Sequence, residues 1–396
     1  MSTTPPAIRS EASPGQPGLH RIWSSIGPDG TRLLVLLAVF VVLATFFHWQ
    51  SDGNFLSSRN LTLLLRQGSI IAILATGVAM LIIRSEIDLS IGSAVFLAGT
   101  VVAVFQTDYK QPIWVAVLAA LVAGILMGVV QGVIVVKTAI PSFIVTLAGL
   151  LAFRGLGLLW TNAKTIRADD ESFTFLSEGF ISANWLILGY LALVSLALTR
   201  LFRKRTPATA HRTTRISLLP GLSVALIALV VLTWISYGYE GVSISIVWVV
   251  LIGILATFLM SRTSFGRNAY LIGSNREAAV YAGVNVGRNI FLGFAIMGLF
   301  YGIGGVLLTA RLGASTPGAG EFYELDAIAA AVIGGAALRG GRGTIVGAIA
   351  GAILLTTINN GMSILNISSF LQLVVKAVIL VGALFIDSIA SRRQSA

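Results

Sequence analysis

Cysteine is absent from the 396-residue sequence, and acidic residues are few, with 16 Asp and Glu against 27 Lys and Arg. Without cysteine the chain can form no disulfide, no thiolate metal site and no cysteine nucleophile. Histidine is scarce too, because only His20, His48 and His211 occur, far apart and without the spacing of metal ligands. We therefore expect no metal site and no cofactor bound by this chain.

Charged residues are scarce along the whole chain. They make up 11% of the residues, hydrophobic residues make up 56%, and the mean hydropathy is +0.89. Uncharged stretches of about 20 residues are long enough to cross a hydrocarbon core of ~30 Å. Backbone groups in lipid must bond internally, and the ~10-residue alternating strands of a β-barrel are not visible. The sequence predicts an all-α polytopic membrane protein.

A single transmembrane domain is predicted over residues 31–390. Residues 1–30 are rich in Pro, Ser and Gly and are predicted to be a mobile tail, and residues 391–396 a second tail. The helix count is about 12, within a range of about 10 to 12, because one segment is short and Gly-rich enough for a broken or re-entrant helix. The predicted spans are 33–47, 61–83, 89–106, 113–136, 141–160, 184–201, 218–237, 242–260, 290–310, 326–338 (the short segment), 344–363 and 370–387.

The basic residues indicate the orientation. With both termini in the cytoplasm, 19 of the 27 Lys and Arg fall on the cytoplasmic side and five fall outside. Membrane proteins generally carry an excess of Lys and Arg in their cytoplasmic loops, so this distribution supports the orientation. The net charge of +11 therefore follows membrane topology, and we expect contact with lipid and no nucleic-acid partner. The five outer residues are Arg59, Lys110, Lys164, Arg167 and Arg311.

Two cytoplasmic loops are long, at residues 202–217 and 261–289. The first is densely basic, which is typical of a topology anchor beside anionic lipid. A nucleotide-hydrolysing P-loop needs a lysine directly after glycine, and none of the five lysines follows a glycine. Hydrolase motifs are also missing. We therefore expect a protein that is not an enzyme and has no catalytic residue. If it carries out ATP-driven transport, another polypeptide hydrolyses the ATP.

Polar side chains in or beside spans are candidates for function, because they are costly in hydrocarbon. Glu86, Asp88 and Ser90 form a first cluster, although Asp88 and Ser90 could instead cap the following helix. A second cluster precedes the short span, where negative charge also suits a helix N-terminus. For Lys376 we favour pairing with a carboxylate. The second and third clusters contain Glu321, Glu324 and Asp326, and Asn359, Asn360, Gln372 and Lys376.

Glycines recur at four-residue spacing within several spans. Such spacing places a groove on one helix face and lets another helix approach closely. We favour packing within the chain over a contact between two copies. The repeats are Gly124, Gly128 and Gly132, then Gly298 and Gly302, then Gly343, Gly347 and Gly351.

The loop at 261–289 contains the signals of a short helix. Asn275 is a good N-cap, Glu277 lies in the first turn, and Gly283 is a C-terminal stop. An exposed surface of Ala278, Ala279 and Tyr281 would suit docking into a groove on a partner. A surface helix without a partner explains the same residues equally well.

The pattern of Gly273, Asn275, Ala278, Ala279 and Gly283 resembles the coupling loop of sugar importer permeases of the ATP-binding-cassette (ABC) class. The ribose and xylose type is the most similar, over about residues 55–390. Three other stretches agree with the same family: Ile87-Asp88-Leu89-Ser90-Ile91-Gly92-Ser93, Tyr323-Glu324-Leu325-Asp326-Ala327-Ile328-Ala329-Ala330, and Asn359-Asn360-Gly361 followed by Gln372 and Val375-Lys376-Ala377.

Two features refine the resemblance. The basic loop and an extra hairpin near residues 185–240 resemble the xylose permease branch. Glu86 departs from the pattern, because ribose-type members usually have Gly before the Ile-Asp-Leu-Ser motif.

The resemblance implies a multi-pass permease in the cytoplasmic (inner) membrane of a bacterium. It also implies a homodimer, a tandem ATP-binding subunit that uses the ATP, and a periplasmic or extracellular sugar-binding protein. The substrate would be a monosaccharide, a pentose such as D-xylose, moved by alternating access. Coupling to the ATPase would involve Gly273, Asn275, Glu277, Ala278, Ala279 and Gly283. The substrate pathway would involve Glu86, Asp88, Ser90, Asp326, Asn359, Asn360, Gln372 and Lys376.

Three alternatives remain open at this point. An ion-coupled secondary transporter also places carboxylates in the membrane, but it does not explain the coupling loop. A passive channel would need neither an energy source nor a binding protein. An amino-acid or urea permease of the same superfamily would use the same machinery for another substrate.

Overall fold

The computed structural model describes residues 28–138, 140–202 and 219–395. Most of the predicted N-terminal tail and nearly all of the basic loop at 202–217 lie outside these residues. The C-terminal segment lies inside them as far as residue 395, and the last helix continues to that point.

The described residues form 15 α-helices, four two-residue strands and one short 3-10 helix. The elements are α1 Pro28–Gln50, α2 Ser58–Ile82, α3 Ile91–Thr107, α4 Ile113–Thr138, α5 Ser142–Thr161, β1 Ile166–Arg167, α6 Glu171–Glu178, β2 Phe180–Ile181, the 3-10 helix Ala183–Trp185, α7 Leu186–Phe202, α8 Leu219–Gly238, β3 Val242–Ser243, α9 Ile244–Arg262, α10 Ser264–Ser274, α11 Arg276–Tyr281, α12 Val286–Leu312, β4 Ala314–Ser315, α13 Tyr323–Ile333, α14 Ile345–Ile364 and α15 Ser369–Ser395.

Each of the predicted spans coincides with one of these helices, namely α1 to α5, α7 to α9 and α12 to α15. Among the described residues, seven helices are long and apolar enough to cross a membrane. The chain is therefore mostly helical with several membrane spans, as predicted. The short Gly-rich segment is helical only over Tyr323–Ile333, and its 11 residues measure about 16 Å, about half of a hydrocarbon core. The seven helices that are long and apolar enough to cross a membrane are α1 (Leu33–Gln50), α2, α4, α5, α9, α12 and α14.

Helices α2, α3 and α12 form the centre of the bundle, with α4 packed against α12 and α14 against α2. The contact between α4 and α12 depends on the repeated glycines. A Cβ on Gly124 would lie 2.4 Å from the carbonyl oxygen of Gly298, and a Cβ on Gly128 would lie 2.8 Å from the Gly298 Cα. Packing within the chain, the favoured interpretation of these repeats, is thus confirmed for α4 and α12.

Two irregular segments precede helices near the centre of the bundle. Residues 83–90 precede α3, and residues 316–322 precede α13. The second segment contacts the first turn of α3, where a Cβ on Gly92 would lie 2.1 Å from the Gly320 carbonyl oxygen. Gly320 also has a φ of +72°, a conformation that side chains rarely allow. Helices α3 and α13 therefore each begin after a stretch of non-helical chain, and the start of α3 is buried.

The two ends of the bundle differ in structure. One end carries α6 and two small antiparallel sheets, in which Ile166 pairs with Ser315 and Phe180 pairs with Ser243. The other end carries α10 and α11, and the charge distribution predicts that it faces the cytoplasm. We call this second end the inner end.

Candidate functional site

Four polar side chains meet in the interior of the bundle. Asp88 and Ser90 lie on the irregular segment before α3, Gln131 lies on α4 and Tyr301 lies on α12. All four are buried, with at most 2% of any of them exposed. We call these residues the Asp88 network.

Hydrogen bonds connect every member of the Asp88 network. One carboxylate oxygen of Asp88 accepts from the Ser90 backbone N–H at 2.8 Å and from the Ser90 hydroxyl at 2.7 Å. The other accepts from the Tyr301 hydroxyl. Gln131 donates to the Ser90 hydroxyl oxygen at 2.8 Å, and its own carbonyl oxygen lies 3.1 Å from the Tyr301 hydroxyl. These bonds replace the water that the four groups lose on burial.

Side chains of α5 hold the irregular segment in place. The Ile87 N–H donates to the Ser142 hydroxyl at 3.0 Å, and the Leu89 N–H donates to the Thr146 hydroxyl at 3.1 Å. The Thr146 hydroxyl also bonds the Ile87 carbonyl at 3.2 Å. Non-helical backbone inside a membrane protein needs such partners, because no lipid group can supply them. Asp88 thus lies on a stretch of chain whose backbone groups are hydrogen-bonded to α5.

The alternative in which Ser90 caps α3 is wrong. Ser90 occupies the N-cap position, but its side chain makes no hydrogen bond to the helix. The hydroxyl instead contacts Asp88 and Gln131. Asp88 accepts from the Ser90 N–H, which precedes the helix, so this bond does not cap the N–H groups of the first turn of α3.

Gln131 and Tyr301 were not among the candidates from the sequence. Each is a polar residue within a span that contains few others, and that signal alone could have selected them. Their spacing could not, since Ser90 is 41 residues from Gln131 and 211 from Tyr301.

A second polar contact joins Asp326 on α13 to Lys376 on α15. The ammonium group lies 2.9 Å from one carboxylate oxygen, and the two side chains are 12% and 25% exposed. The predicted pairing of Lys376 with a carboxylate is confirmed. Among the described residues, no hydrogen bond joins this pair to the Asp88 network.

The remaining polar candidates near the last spans have separate partners. Asn360 exchanges two hydrogen bonds of 3.0 Å with Asn60, joining α14 to α2. Gln372 donates to the Ile367 carbonyl at 2.9 Å and to the Ser363 hydroxyl of α14 at 3.3 Å. The side-chain oxygen of Asn359 has no partner among the described residues. Asn359, Asn360, Gln372 and Lys376 therefore do not form one cluster.

Arg154 on α5 holds the second irregular segment. Its guanidinium donates to the carbonyls of Pro317 and Ala319, both at 2.9 Å, and lies 4.8 Å from the ring centroid of Phe96. This span arginine was not among the predicted site residues. It supports the chain before α13 as Ser142 and Thr146 support the chain before α3.

The short helix predicted in the inner loop is present as α11. The Asn275 side chain accepts from the Ala278 N–H at 2.9 Å, which makes Asn275 the N-cap. Glu277 lies in the first turn, and Gly283 follows the helix with a φ of +77°. The cap, the first-turn acid and the glycine stop are all confirmed.

The exposed face of α11 differs from the predicted face at one position. Ala278 is exposed, and Tyr281 is 91% exposed. Ala279, predicted to be exposed with them, is only 2% exposed and packs in the main core. The prediction for Ala279 is wrong because one side of this six-residue helix must lie against the bundle. The exposed surface includes Glu277, Ala278, Val280 and Tyr281.

At the inner end, the carbonyl oxygen of Ile83 contacts two other segments of the chain. This oxygen accepts from the Gly341 N–H at 2.9 Å, and a Cβ on Gly273 would lie 1.8 Å from it. The Ser85 hydroxyl donates to the Arg339 carbonyl at 2.8 Å. Only glycine fits at position 273, since any side chain would displace the backbone of the neighbouring loop.

Glu86 lies beside α11, outside the Asp88 network. Its carboxylate is 6% exposed and lies 3.6 Å from the Arg276 guanidinium. Burial raises the pKa of the Glu86 carboxyl, and a hydrogen bond from Ser142 and the cations of Arg276 and Arg84 counteract part of this rise.

Arg84, another residue absent from the sequence candidates, is buried beside Glu86 at the inner end. Its guanidinium donates to Asn289 at 2.7 Å and lies 4.1 Å from the ring centroid of Phe265. These contacts join the end of α2 to α10 and α12. Arg84 therefore braces the inner end on which α11 lies.

Comparisons with known proteins bear on what this arrangement does. Residues 60–384 match the family described as the permease component of branched-chain amino acid transport systems. The chain is 38% identical over 366 residues to the xylose transport system permease protein of Escherichia coli (strain K12), which covers 91% of this chain and 93% of that protein. It is 33% identical over 357 residues to the ribose import permease protein of the same strain, covering 90% and 92%.

A third relative is the galactose/methyl galactoside import permease protein of Escherichia coli (strain K12). It is 31% identical over 376 residues, covering 91% of this chain and 94% of that protein. No solved structure matches the chain.

Proposed function

Because the chain belongs to the family of transport-system permease components and is a multi-pass protein of the cytoplasmic membrane, we propose that it imports a monosaccharide as the membrane subunit of an ABC importer. The proposed substrate is a pentose such as D-xylose. The similarity to the xylose permease over nearly the whole of both chains supports this choice, since the ribose and galactose relatives are less similar.

The observation that carries the proposal is the exposed face of α11. It is a short, capped helix that presents Ala278 and Tyr281 to solvent at the inner end. A short helix of this kind fits a groove on a partner. We propose that the partner is the tandem ATP-binding subunit, which uses the ATP, and that Gly273, Asn275, Glu277, Ala278 and Gly283 form or position the contact. Ala279 supports it from within the core.

The proposed assembly has further parts. About 12 crossings, with both termini in the cytoplasm, would place α10 and α11 on the side where ATP is available. Two copies of the chain would form one central pathway. A periplasmic or extracellular binding protein would deliver the sugar to the end that carries α6 and the small sheets.

Transport would proceed by alternating access. Closure of the ATPase subunits would move α11 and change which end of the pathway is open. Asp88, Ser90 and Gln131 are the preferred pathway residues, because their hydroxyl, amide and carboxylate groups can replace water around sugar hydroxyls. Asp326, Asn359, Asn360, Gln372 and Lys376 are secondary candidates, since most of them have partners within the chain.

Two substitutions on α11 test the docking proposal. Ala278→Asp places a charge on the exposed face, so we expect the ATP-binding subunit to be lost on co-purification while the permease keeps its thermal stability. Ala279→Asp is the matched control, because it buries a charge in the core and should destabilise the permease itself. Normal ATPase association of Ala278→Asp would contradict the proposal.

Competition tests the substrate. Uptake of labelled D-xylose should be driven by ATP in vesicles that hold the permease, the ATP-binding subunit and the binding protein. Excess unlabelled D-xylose should suppress it more than excess ribose or galactose. If ribose or galactose competes better, the proposed pentose is wrong although the class of transporter stands.

A further inference from the structure

One stretch of chain connects the inner end to the Asp88 network. At its start, the Ile83 carbonyl and the Ser85 hydroxyl bond the backbone of Gly341 and Arg339. At its end, Asp88 bonds the Tyr301 hydroxyl in the centre of the bundle. We call residues 83–90 the connecting segment. It therefore runs from the inner end, where Glu86 lies 3.6 Å from Arg276 of α11, to the buried polar residues proposed to meet the sugar.

The connecting segment is short between these two contacts. Glu86 and Asp88 are two residues apart, and an extended chain covers about 7 Å over two residues. The intervening backbone bonds the side chains of Ser142 and Thr146 on α5. A displacement of Glu86 would therefore reach Asp88 instead of being absorbed by a loose loop.

Only one side-chain ion pair among the described residues links α11 to this segment. Glu86 is buried, whereas the Arg276 side chain is 63% exposed, so the carboxylate belongs to the bundle and the cation belongs to the surface helix. The other nearby cation, Arg84, is held by Asn289 and by the ring of Phe265. Arg276 is thus the partner that can move when α11 moves.

We propose that Arg276 and Glu86 are positioning residues that transmit the movement of α11 to the Asp88 network. When the ATPase displaces α11, the ion pair displaces Glu86, and Asp88 shifts against Tyr301 and Gln131. In this proposal the network changes between two arrangements that both ends influence, which is what coupling between distant sites requires. Glu86 then acts in energy transmission and makes no contact with substrate. This inference rests on the proposed docking of an ATPase at α11.

The test uses Glu86→Gln, Arg276→Gln and the double variant, each in vesicles with the ATP-binding subunit and the binding protein. We expect each single variant to lower the amount of D-xylose moved per ATP hydrolysed by about fivefold, a typical size for one pairwise coupling. The ATPase should still co-purify normally. The double variant should move no less D-xylose per ATP than the more impaired single variant, because both changes break the same contact.

Two further variants serve as controls. Arg276→Lys keeps the positive charge and should restore most of the coupling. Arg288→Gln removes another exposed arginine at the inner end, from the first turn of α12, and should leave transport unchanged. Since Arg276 is largely exposed, its variants decide the question even if Glu86→Gln folds poorly.

Three results would overturn the inference: unchanged coupling in Arg276→Gln, losses that multiply in the double variant, or loss of ATPase co-purification in Arg276→Gln. The last would make Arg276 part of the docking surface alone. Failure of the proposed docking itself has a different signature, because Ala278→Asp would then keep the ATPase bound.

Discussion

Asp88 and Asp326 are both buried acids of the helix bundle, and they are satisfied in opposite ways. Within the described part of the chain, Asp88 has no cation among its hydrogen-bond partners and depends on Ser90 and Tyr301. Asp326 is held by the ammonium group of Lys376 at 2.9 Å. A hydrogen-bond network can exchange partners with a polar ligand at small cost, whereas separating a buried ion pair is expensive. From this difference we propose that Asp88 makes the contact that changes during transport and that the Asp326–Lys376 pair stabilises the bundle.

Breaking the ion pair should have the largest effect on stability. Lys376→Met leaves the Asp326 carboxylate without its cation, and we expect a loss of about 2 to 3 kcal/mol, somewhat below the value for fully buried pairs because Lys376 is a quarter exposed. Thermal unfolding in detergent measures it. Asp326→Asn with Lys376→Met should recover most of the loss. A double variant as unstable as the sum of the two single variants would show that the pair is not the brace described.

Removing one hydroxyl from the Asp88 network should have an intermediate effect. Tyr301→Phe deprives Asp88 of a donor in a fully buried site, so we expect a loss of about 1 to 2 kcal/mol and a fall in uptake. Tyr237→Phe is the control, because that hydroxyl donates to Asn184 on an exposed surface. Equal effects of the two variants would show that the network contributes nothing beyond an ordinary surface bond.

The smallest effect on stability is expected for Asp88→Asn. The amide oxygen can still accept from the Ser90 N–H and hydroxyl, and the amide NH2 can donate to the Tyr301 oxygen while the Tyr301 hydroxyl donates to Gln131. The loss should therefore stay below about 1 kcal/mol. Asp326→Asn, which removes the partner of a lysine, should cost more. The contrast between the two acids would disappear if Asp88→Asn were the less stable of the two variants in the same unfolding measurement.

Local sequence signals predicted the parts of the fold that depend on local chemistry. Long apolar runs predicted the positions of the helices, since a span must satisfy its own backbone. Asn275 and Gly283 predicted both ends of α11, because capping involves only neighbouring residues. The cost of a lone charge in the membrane predicted that Lys376 would be paired.

Long-range contacts were beyond the same reasoning. The Asp88 network joins residues up to 213 positions apart, and no local pattern brings Gln131 and Tyr301 to Asp88. The burial of Ala279 depends on how α11 lies against the bundle, which six residues cannot specify. Glu86 was placed with the substrate pathway, whereas the structure places it beside Arg276.

The most direct test of the account is the source of energy for transport. D-xylose uptake should be measured in vesicles containing the purified chain, with and without the ATP-binding subunit and the binding protein, under ATP or under a proton or sodium gradient. The account predicts accumulation only when both partners and ATP are present. Accumulation by the chain alone under an ion gradient would contradict it.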